Sequence, residues 1–541
     1  PYGSALWLAA PDGEMQTSEF CEIYQGLMKT ADGAVTTWGW NSDNQVYLRC
    51  FSSDGEYEDI AVPDSADYGG KAIQNIGNGV NGAAATVFDD NGIYSLFGDG
   101  SVEPLIIWAD NAMSAITPAA IFEAEDGVYF CPYYYFNGTG GSYGCYLLKE
   151  GEPAEKQTLV LAVFGDTNYR YAVNQFNTLS AEYYIQVLDY CEDGADFTDA
   201  ASLLSAQLSA GVGPDIICFN GSMSSEVYGA KGFLLDLNAF LDADEEISRG
   251  DIYLLPLMDS DGALYSVAAN FYIETCWSVE KSLSGRSGWS YAEFAEFAAN
   301  LPRGSYLSVC NEPLPLFQEL LHSYIPTMID WQAGECSFDS AEFIALLDAS
   351  RSAAAVGLNA EELYADELLR MMSNGELALQ SAVIASPYDI AEIENAIKQD
   401  IMLIGWPTPD GGCGSRAYFL ERFGIASECM SQEGAWELIK HLLSAGAESS
   451  ALTSFTAPVL KTALDEITAD LLGGDEPLVT VRQAEKFSAL LNEVSIASDA
   501  ELTAQEIITD SVLAYFAGDS TAERAAELVR SRVGLYVSEQ S

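Results

Sequence analysis

The stretch GPDIICFNGSMSSEVYGAKGFLLDLNAFLD, residues 213–242, decides the fold of this chain. Its apolar run IICF predicts a buried strand, the polar loop FNGS follows, and small residues then predict a helix. A strand joined to a helix by a short loop is the unit from which α/β sheets are built. Ligands of such sheets bind beyond the C-terminal ends of the strands. The loop after IICF is therefore a candidate for ligand contact.

The rest of the chain from residue 157 repeats this alternation. The run TLVLAVFG is typical of a parallel strand buried on both faces. NYRYAVNQFNTL, YYIQVLDY and TDAASLLSAQLSAG then predict a helix, a strand and a helix. Capping boxes, in which Glu follows a polar residue by three positions, predict helix starts at Ser290, Asp339, Ser498 and Ser520. We therefore predict an α/β domain over 156–541, with helices on both faces of its sheet.

Residues 1–155 have a different pattern, with short alternating strands broken by Gly, Asn and Asp. AVTTWGWNSDNQVYLRCFSSDGE and GVYFCPYYYFNGTGGSYGCYLLKEGE are examples. Such units recur at roughly 45 to 50 residues, a period typical of propeller blades. Three units cannot close a ring, because propellers have about 4 to 8 blades. We predict an all-β, blade-like region, and either further blades precede Pro1, as in a fragment or processed form, or the strands form a smaller sheet assembly.

The charge of the chain excludes several kinds of partner. It has 541 residues, with 81 Asp plus Glu against 23 Lys plus Arg, and a formal net charge of −58. Phosphate backbones and anionic lipid repel such a chain, so we expect no nucleic-acid partner and no binding to a membrane surface. The sequence contains no run of roughly 18 apolar residues, so it predicts no transmembrane helix.

The residues that usually hold metals or perform nucleophilic catalysis are scarce. The chain has only two histidines, His322 and His441, and its 11 cysteines form no CxxC pair. Cys131 and Cys145 lie in one hairpin-like region, where both a disulfide and buried free thiols are open. The DSDG sequence from Asp259 resembles the start of a calcium loop, but its twelfth position is Asn270 instead of Glu. We expect no metal, no cofactor and no catalytic residue.

Three ordered blocks carry a family resemblance. LSAQLSAGVGPDIICFNG with YGAKGFLLDLNAFLD comes first, and DSDGALYSVAANFYIETCWSVEKSL with SGWSYAEFAEFAANL comes second. The third is NGELALQSAVIASPYDI, then IMLIGWPTPDGG, then FGIASECMSQEGAWELIKHLLS. Together they resemble the extracellular solute-binding proteins of bacterial ABC importers, in the sugar-binding branch. SVAAN departs from the usual G-V-P of that family, and this difference concerns the ligand more than the fold.

The resemblance implies a two-lobed clamshell whose strands cross between the lobes. The first lobe would hold about 157–268 and 418–450, and the second about 270–412 and 455–541. A solute would bind in the cleft, and closure would present a joint surface to a membrane ABC permease. The family also implies a monomer outside the cell, held at the surface by a lipid anchor that is not in this sequence.

A sugar site needs aromatic platforms beside short polar side chains. Strand ends, lobe crossings and matched motif positions give these candidates: Asp166, Phe219, Asn220, Asn270, Phe271, Tyr272, Ser386, Tyr388, Trp406, Arg416 and Tyr418. Of these, Asn220, Asn270, Tyr388 and Trp406 match the family motifs best. Structural roles stay open: Trp406 and Phe219 could close a core, Asn220 could be a turn residue, and Tyr388 could anchor a helix start.

The leading hypothesis is a non-enzymatic receptor that hands an oligosaccharide to a permease. A carbohydrate-active enzyme is one alternative, although 81 acidic residues make any carboxylate pair uninformative. A surface interaction protein that uses the β region is another.

Overall fold

The computed structural model describes residues 5–9, 15–19, 23–29, 35–40, 45–51, 56–70, 72–89, 91–108, 111, 118, 120–124, 127–136, 141–149, 155–165, 169–191, 195–220, 223–259, 262–331, 333–360, 363–449, 455–474, 476–497 and 502–540. The chain divides into two compact units. The first comprises 1–158 and 170–186, and the second 159–169 and 187–541. The proposed boundary at 155/156 and the lobe limits stay predictions.

The first unit contains antiparallel sheets. Their strands are β1 (Ala5–Ala9), β2 (Met15–Glu19), β3 (Ile23–Lys29), β4 (Val35–Trp40), β5 (Val46–Phe51), β6 (Tyr57–Ala61), β7 (Asn75–Asn78), β8 (Ala85–Phe88), β9 (Gly92–Leu96), β10 (Val102–Ile107), β11 (Phe122–Glu123), β12 (Val128–Phe136) and β13 (Gly141–Lys149), with one short helix, α1 (Ser65–Tyr68). Two four-stranded meanders, β3 to β6 and β7 to β10, share a core that includes Trp38, Leu48 and Tyr94. Within the described residues, none of these sheets closes into a barrel or a propeller.

The hairpin of β12 and β13 alternates as its sequence predicts. Cys131 and Leu148 point into a core, whereas Phe130 and Leu147 are 44% and 61% exposed. The thiols of Cys131 and Cys145 are both free, and Cys145 is exposed, so the expectation of a buried thiol is wrong for Cys145. It is exposed because it lies opposite Pro132, one position out of phase with the inward Cys131.

The chain next forms β14 (Gln157–Val163), α2 (Arg170–Leu179), β15 (Tyr183–Asp189), α3 (Phe197–Ser209) and β16 (Ile216–Asn220). These confirm the strands and helices predicted from TLVLAVFG to IICF. In the second unit, β14 pairs in parallel with β16, as the continuous apolar runs indicate. β16 then pairs antiparallel with β24 (Glu421–Ile425), which also pairs with β17 (Val267–Ala268). We call this the first sheet.

A second sheet lies further along the same unit. Its strands are β18 (Asn270–Ser278), β21 (Gln380–Ile384), β22 (Met402–Leu403), β23 (Arg416–Phe419), β25 (Ala457–Pro458) and β26 (Ile496–Ala497). β18 is central and pairs with β21, β22, β23 and β25. The two remaining strands, β19 (Ile329–Asp330) and β20 (Glu335–Cys336), form a separate hairpin.

Helices cover both sheets. They are α4 (Ser225–Ala230), α5 (Asn238–Ala243), α6 (Tyr291–Ala299), α7 (Pro313–Leu321), α8 (Ala341–Ala354), α9 (Ala365–Asn374), α10 (Pro387–Ile397), α11 (Gln432–Ser449), α12 (Lys461–Leu472), α13 (Val481–Glu493), α14 (Leu502–Phe516) and α15 (Ala522–Gln540). A large core joins the second sheet to α6, α7, α8, α14 and α15. No helix within the described residues is both long enough and apolar enough to cross a membrane.

The predicted helix starts are partly right. Ser290 forms the expected capping box with Glu293. The other two described starts were placed one residue too early: the cap of α8 is Ser340, and Thr521 accepts from the backbone N–H of Arg524 at the start of α15. In both cases a neighbouring hydroxyl reaches the first-turn amides. Ser498 lies outside the described residues.

The chain crosses between the two sheets through very short connections. Only Ala269 separates β17 in the first sheet from β18 in the second. Only Leu420 separates β23 in the second sheet from β24 in the first. β25 follows α11 and pairs with Asn270 and Phe271 at the same place. We call β17–β18 and β23–β24 the crossing strands.

Candidate functional site

Two tyrosines form a stacked pair on the crossing strands. Tyr272 and Tyr418 are register partners, their ring centroids are 5.0 Å apart, and their planes differ by 11°. Both side chains are half-buried. Burial raises the pKa of Tyr272, and the charge of Glu274 raises it further, so its hydroxyl stays protonated at neutral pH. The pair is a partly exposed aromatic surface, as a carbohydrate ring face requires.

A buried arginine lies next to this pair. Arg416 Nε is 2.7 Å from Glu274 Oε2, and Arg416 Nη2 is 2.8 Å from Glu319 Oε1. Nη1 also donates to the backbone carbonyl of Glu319 at 3.0 Å. The side chain of Arg416 is 3% exposed, whereas those of Glu274 and Glu319 are 31% and 30% exposed. The arginine therefore holds two partly exposed carboxylates beside the tyrosines.

The strand geometry explains why these groups meet. Side chains two apart on a strand share a face, so Tyr272 and Glu274 lie on the same side of β18. Their register partners on β23 are Tyr418 and Arg416. Helix α7 adds Glu319 to this row. We name the five residues Tyr272, Glu274, Glu319, Arg416 and Tyr418 the crossing-strand cluster.

His322 and Cys276 lie near the cluster without adding charge to it. Burial lowers the pKa of His322, and the positive charge of Arg416 lowers it further, so the imidazole is neutral at pH 7. Its Nδ1 is 3.2 Å from Gln505 Nε2. Cys276 is fully buried, and burial together with Glu319 raises the pKa of its thiol well above the ordinary value. The thiol is therefore poorly suited to act as a nucleophile.

A second buried arginine fixes the same chain segment in the first sheet. Arg422 Nη2 is 2.9 Å from Glu226 Oε1 on α4 and 3.2 Å from the Met258 carbonyl. Although burial opposes ionisation, the charge of Arg422 lowers the pKa of Glu226. Arg416 and Arg422 thus anchor the two ends of one crossing strand, each within its own sheet.

Several aromatic candidates lie inside cores. Phe219 is 1% exposed and packs edge-to-face on Tyr228 with ring centroids 5.5 Å apart. Trp406 is 3% exposed and packs against Phe294. Phe271 has no exposed surface. These positions match the core roles that the sequence left open for Phe219 and Trp406.

The polar candidates lie at element ends. Asn220 is half-buried at the end of β16, and its Nδ2 donates to the Phe164 carbonyl at 3.4 Å. Asn270 begins β18, is 7% exposed, and lies beside Gly446 of α11. Their positions at the junction of the sheets agree with a role near the crossing strands, and that role stays a prediction.

Ser386 and Tyr388 belong to the start of α10. Ser386 Oγ accepts from the Tyr388 backbone N–H at 3.2 Å. In return, the Asp389 carboxylate accepts from the Ser386 backbone N–H, which completes a capping box. The half-buried Tyr388 packs against the small core around Leu471.

Tyr272, Arg416 and Tyr418 are the candidates that form one contiguous cluster. Asp166 lies outside the described residues.

The structure adds site residues that the sequence did not single out. Glu274 had a usable signal, because it is the one charged residue of β18 and lies two positions after Tyr272. Glu319 had no such signal, because nothing in the sequence distinguishes it from the other acidic residues, of which the chain has 81. Trp331 also escaped notice; it packs against the cores of both sheets and edge-to-face on Tyr536. Within the described parts of the chain, no group of three His, Cys, Asp or Glu residues could hold a metal ion.

Comparisons with known proteins find similar chains among solved structures only. No protein-family model and no curated protein sequence matches this chain. Among solved structures, the sugar-binding protein MalE from Xanthomonas citri is 14% identical, with a TM-score of 0.49, covering 71% of this chain and 98% of its own. A family 1 extracellular solute-binding protein from Alicyclobacillus acidocaldarius is 16% identical, with a TM-score of 0.47, covering 72% and 100%. An ABC substrate-binding protein from Listeria monocytogenes, in complex with cycloalternan, is 14% identical, with a TM-score of 0.45, covering 71% and 99%.

These neighbours are binding proteins, similar to this chain at 14% to 16% identity and with TM-scores below 0.5. The sheets and helices described above make the second unit a mixed α/β structure.

Proposed function

We propose that this chain is an extracytoplasmic receptor without catalytic activity, which captures an oligosaccharide and delivers it to an ABC permease. One observation carries the proposal: two α/β sheets are joined by crossing strands, and a partly exposed tyrosine pair lies on those strands. Crossing strands let two lobes rotate while their cores stay intact. The ordered sequence blocks described above agree with this class of protein.

Binding would shift an equilibrium between open and closed lobes. A solute that touches both lobes only when they are closed favours the closed state by its extra contacts. The proposed lobes are about 157–268 with 418–450, and about 270–412 with 455–541. Trp331 supports this picture, because it follows β19 and contacts both cores. The closed lobes would present one surface to the permease.

The remaining features of the proposal come from the family resemblance and, for residues 1–155, from the repeat pattern of the sequence. The receptor would act as a monomer outside the cell, attached to the surface by a lipid anchor. Residues 1–155 would form a separate all-β domain whose meanders correspond to propeller-like blades. The two four-stranded meanders support that assignment.

The tyrosine pair provides the test of sugar binding. A thermal-shift screen would compare mono- and oligosaccharides, amino acids and polyamines. A ligand at about 100 times its Kd adds about 2.7 kcal/mol to the unfolding free energy, which gives a clear shift. We expect an oligosaccharide to raise the Tm, and Tyr272→Ala to weaken its binding about fivefold or more, since a lost aromatic contact is worth about 1 kcal/mol or more.

Tyr364→Ala is the matched control. This tyrosine lies in the same unit, is 79% exposed and precedes α9, away from the crossing strands. We expect its affinity for the same sugar to equal that of the unaltered protein. A Tm shift with a polyamine or peptide but no sugar would contradict the assignment of the solute. Turnover of a bound sugar would contradict the receptor.

A further inference from the structure

We propose that the solute is a cationic saccharide, with a protonated amine on the sugar ring that contacts the crossing-strand cluster. This inference rests on the receptor function proposed above and specifies the chemical class of its ligand. Its basis is the charge balance around Arg416, together with the aromatic surface beside it.

The cluster carries more negative than positive charge. One arginine faces two carboxylates, Glu274 and Glu319, and His322 is neutral at pH 7. Arg416 uses Glu274 Oε2 and Glu319 Oε1. Among the residues that the structure describes, no donor reaches Glu274 Oε1 or Glu319 Oε2. Each carboxylate therefore keeps an acceptor oxygen and about a third of its surface for another cationic donor.

The tyrosine pair favours the same kind of group. The face of an aromatic ring attracts cations, and the attraction grows as the cation loses water. Tyr272 lies two residues from Glu274 on the same face of β18, and it stacks on Tyr418. A sugar ring could rest its apolar face on a tyrosine while its ammonium group reaches a carboxylate. A neutral sugar would use the tyrosines and leave the excess charge uncompensated.

The net charge of the whole chain also favours a cationic solute. A formal net charge of −58 raises the local concentration of cations and lowers that of anions. An anionic saccharide would meet both this field and the two carboxylates. An amino sugar is the saccharide class that both the negative field of the chain and the two carboxylates attract.

Isothermal titration calorimetry can separate charge from shape on the unaltered protein. Three disaccharides of one linkage would be compared: the glucosamine form, its N-acetylated form and the form with hydroxyls instead of amines. N-acetylation removes the charge while keeping the ring. We expect the glucosamine form to bind at least about tenfold more tightly than the others, since hydrogen bonds to charged groups contribute about 1.5 to 3 kcal/mol. Raising the salt concentration should reduce this preference.

Glu319→Gln tests the residue directly. We expect it to remove most of the ratio between the affinities for the amine form and the hydroxyl form, with both affinities measured on the variant. Glu296→Gln is the matched control, because Glu296 is an exposed acid on α6. Equal affinity for the charged and neutral disaccharides would overturn the inference and leave the receptor function standing. If no saccharide binds, both proposals fall.

Discussion

Arg416 is a residue that stabilises the fold and also belongs to the proposed binding site. It joins β23 to Glu274 on β18 and to Glu319 on α7, and it is almost fully buried. Without it, the carboxylates of Glu274 and Glu319 would lose their cationic partner. Removing one partner from a buried ion pair is strongly destabilising, because the other charge is left uncompensated.

We therefore expect Arg416→Met to lower the unfolding free energy by about 3 kcal/mol, measured by urea denaturation. Arg249→Met is the control, since the pair of Arg249 with Asp242 lies at the surface, with side chains 45% and 61% exposed. This control should leave stability essentially unchanged. Equal losses in the two variants would show that the buried cluster has no special stabilising role.

The sequence predicted some of these residues and could not predict others. Tyr272, Arg416 and Tyr418, which the structure brings together, were chosen as candidates because strand ends and crossings are where ligands meet an α/β sheet. Trp406 and Phe219 ranked as candidates on the same basis, yet they lie in cores, because facing side chains decide whether an aromatic at a strand end is covered. Glu319 needed the packing of α7 on β23, a contact between residues almost a hundred positions apart.

At the scale of elements, Asp244 connects two helices of the second unit. It follows α5 and accepts from Trp436 Nε1 on α11 at 2.8 Å, and Lys440 Nζ is 3.1 Å away. Burial alone would raise its pKa, but the hydrogen bonds from Trp436 and the backbone, together with Lys440, lower the pKa of Asp244 to about 2. The carboxylate is thus favoured in the folded protein.

This shift predicts a pH dependence of stability. The ordinary pKa of Asp is 3.8. A lowered pKa adds stability that is complete above about pH 4 and is lost as the pH falls towards about 2. We expect Asp244→Asn to cost about 2 kcal/mol at pH 7, and the difference from the unaltered protein to shrink below pH 4 in urea titrations. The exposed Glu466 provides the control Glu466→Gln, whose difference should not follow this course. A difference for Asp244→Asn that is constant from pH 7 to pH 2.5 would contradict the linkage.

Elements were predicted better than their arrangement. The alternation from TLVLAVFG to IICF gave β14, α2, β15, α3 and β16 because apolar period and capping act locally. The placement of β24 between β16 and β17 could not be predicted from these patterns. It depends on the pairing of β16 with a strand about two hundred residues further along the chain. A local sequence pattern does not indicate which distant strand pairs with a given strand.

At the scale of the whole molecule, charge repulsion should oppose folding. With a net charge of −58, the compact state brings many carboxylates closer together than the unfolded chain does. Salt shortens the screening length from about 30 Å at 0.01 M to about 3 Å at 1 M. We expect the Tm to rise by a few degrees between 0.01 and 0.5 M NaCl, measured by differential scanning calorimetry. KCl should give the same rise, and a falling Tm would show that attractive ion pairs outweigh the repulsion.

The order of strands in the first sheet has a consequence for biosynthesis. β24 lies between β16 and β17, although it is translated about 150 residues after β17. While the ribosome is still making the second sheet, β16 therefore exposes an unpaired edge that other nascent chains could extend. This part of the polypeptide can complete its sheet only after residue 425 has been released. Chaperones that shield strand edges should raise the yield of folded protein, and chains that terminate before β24 should be prone to aggregation.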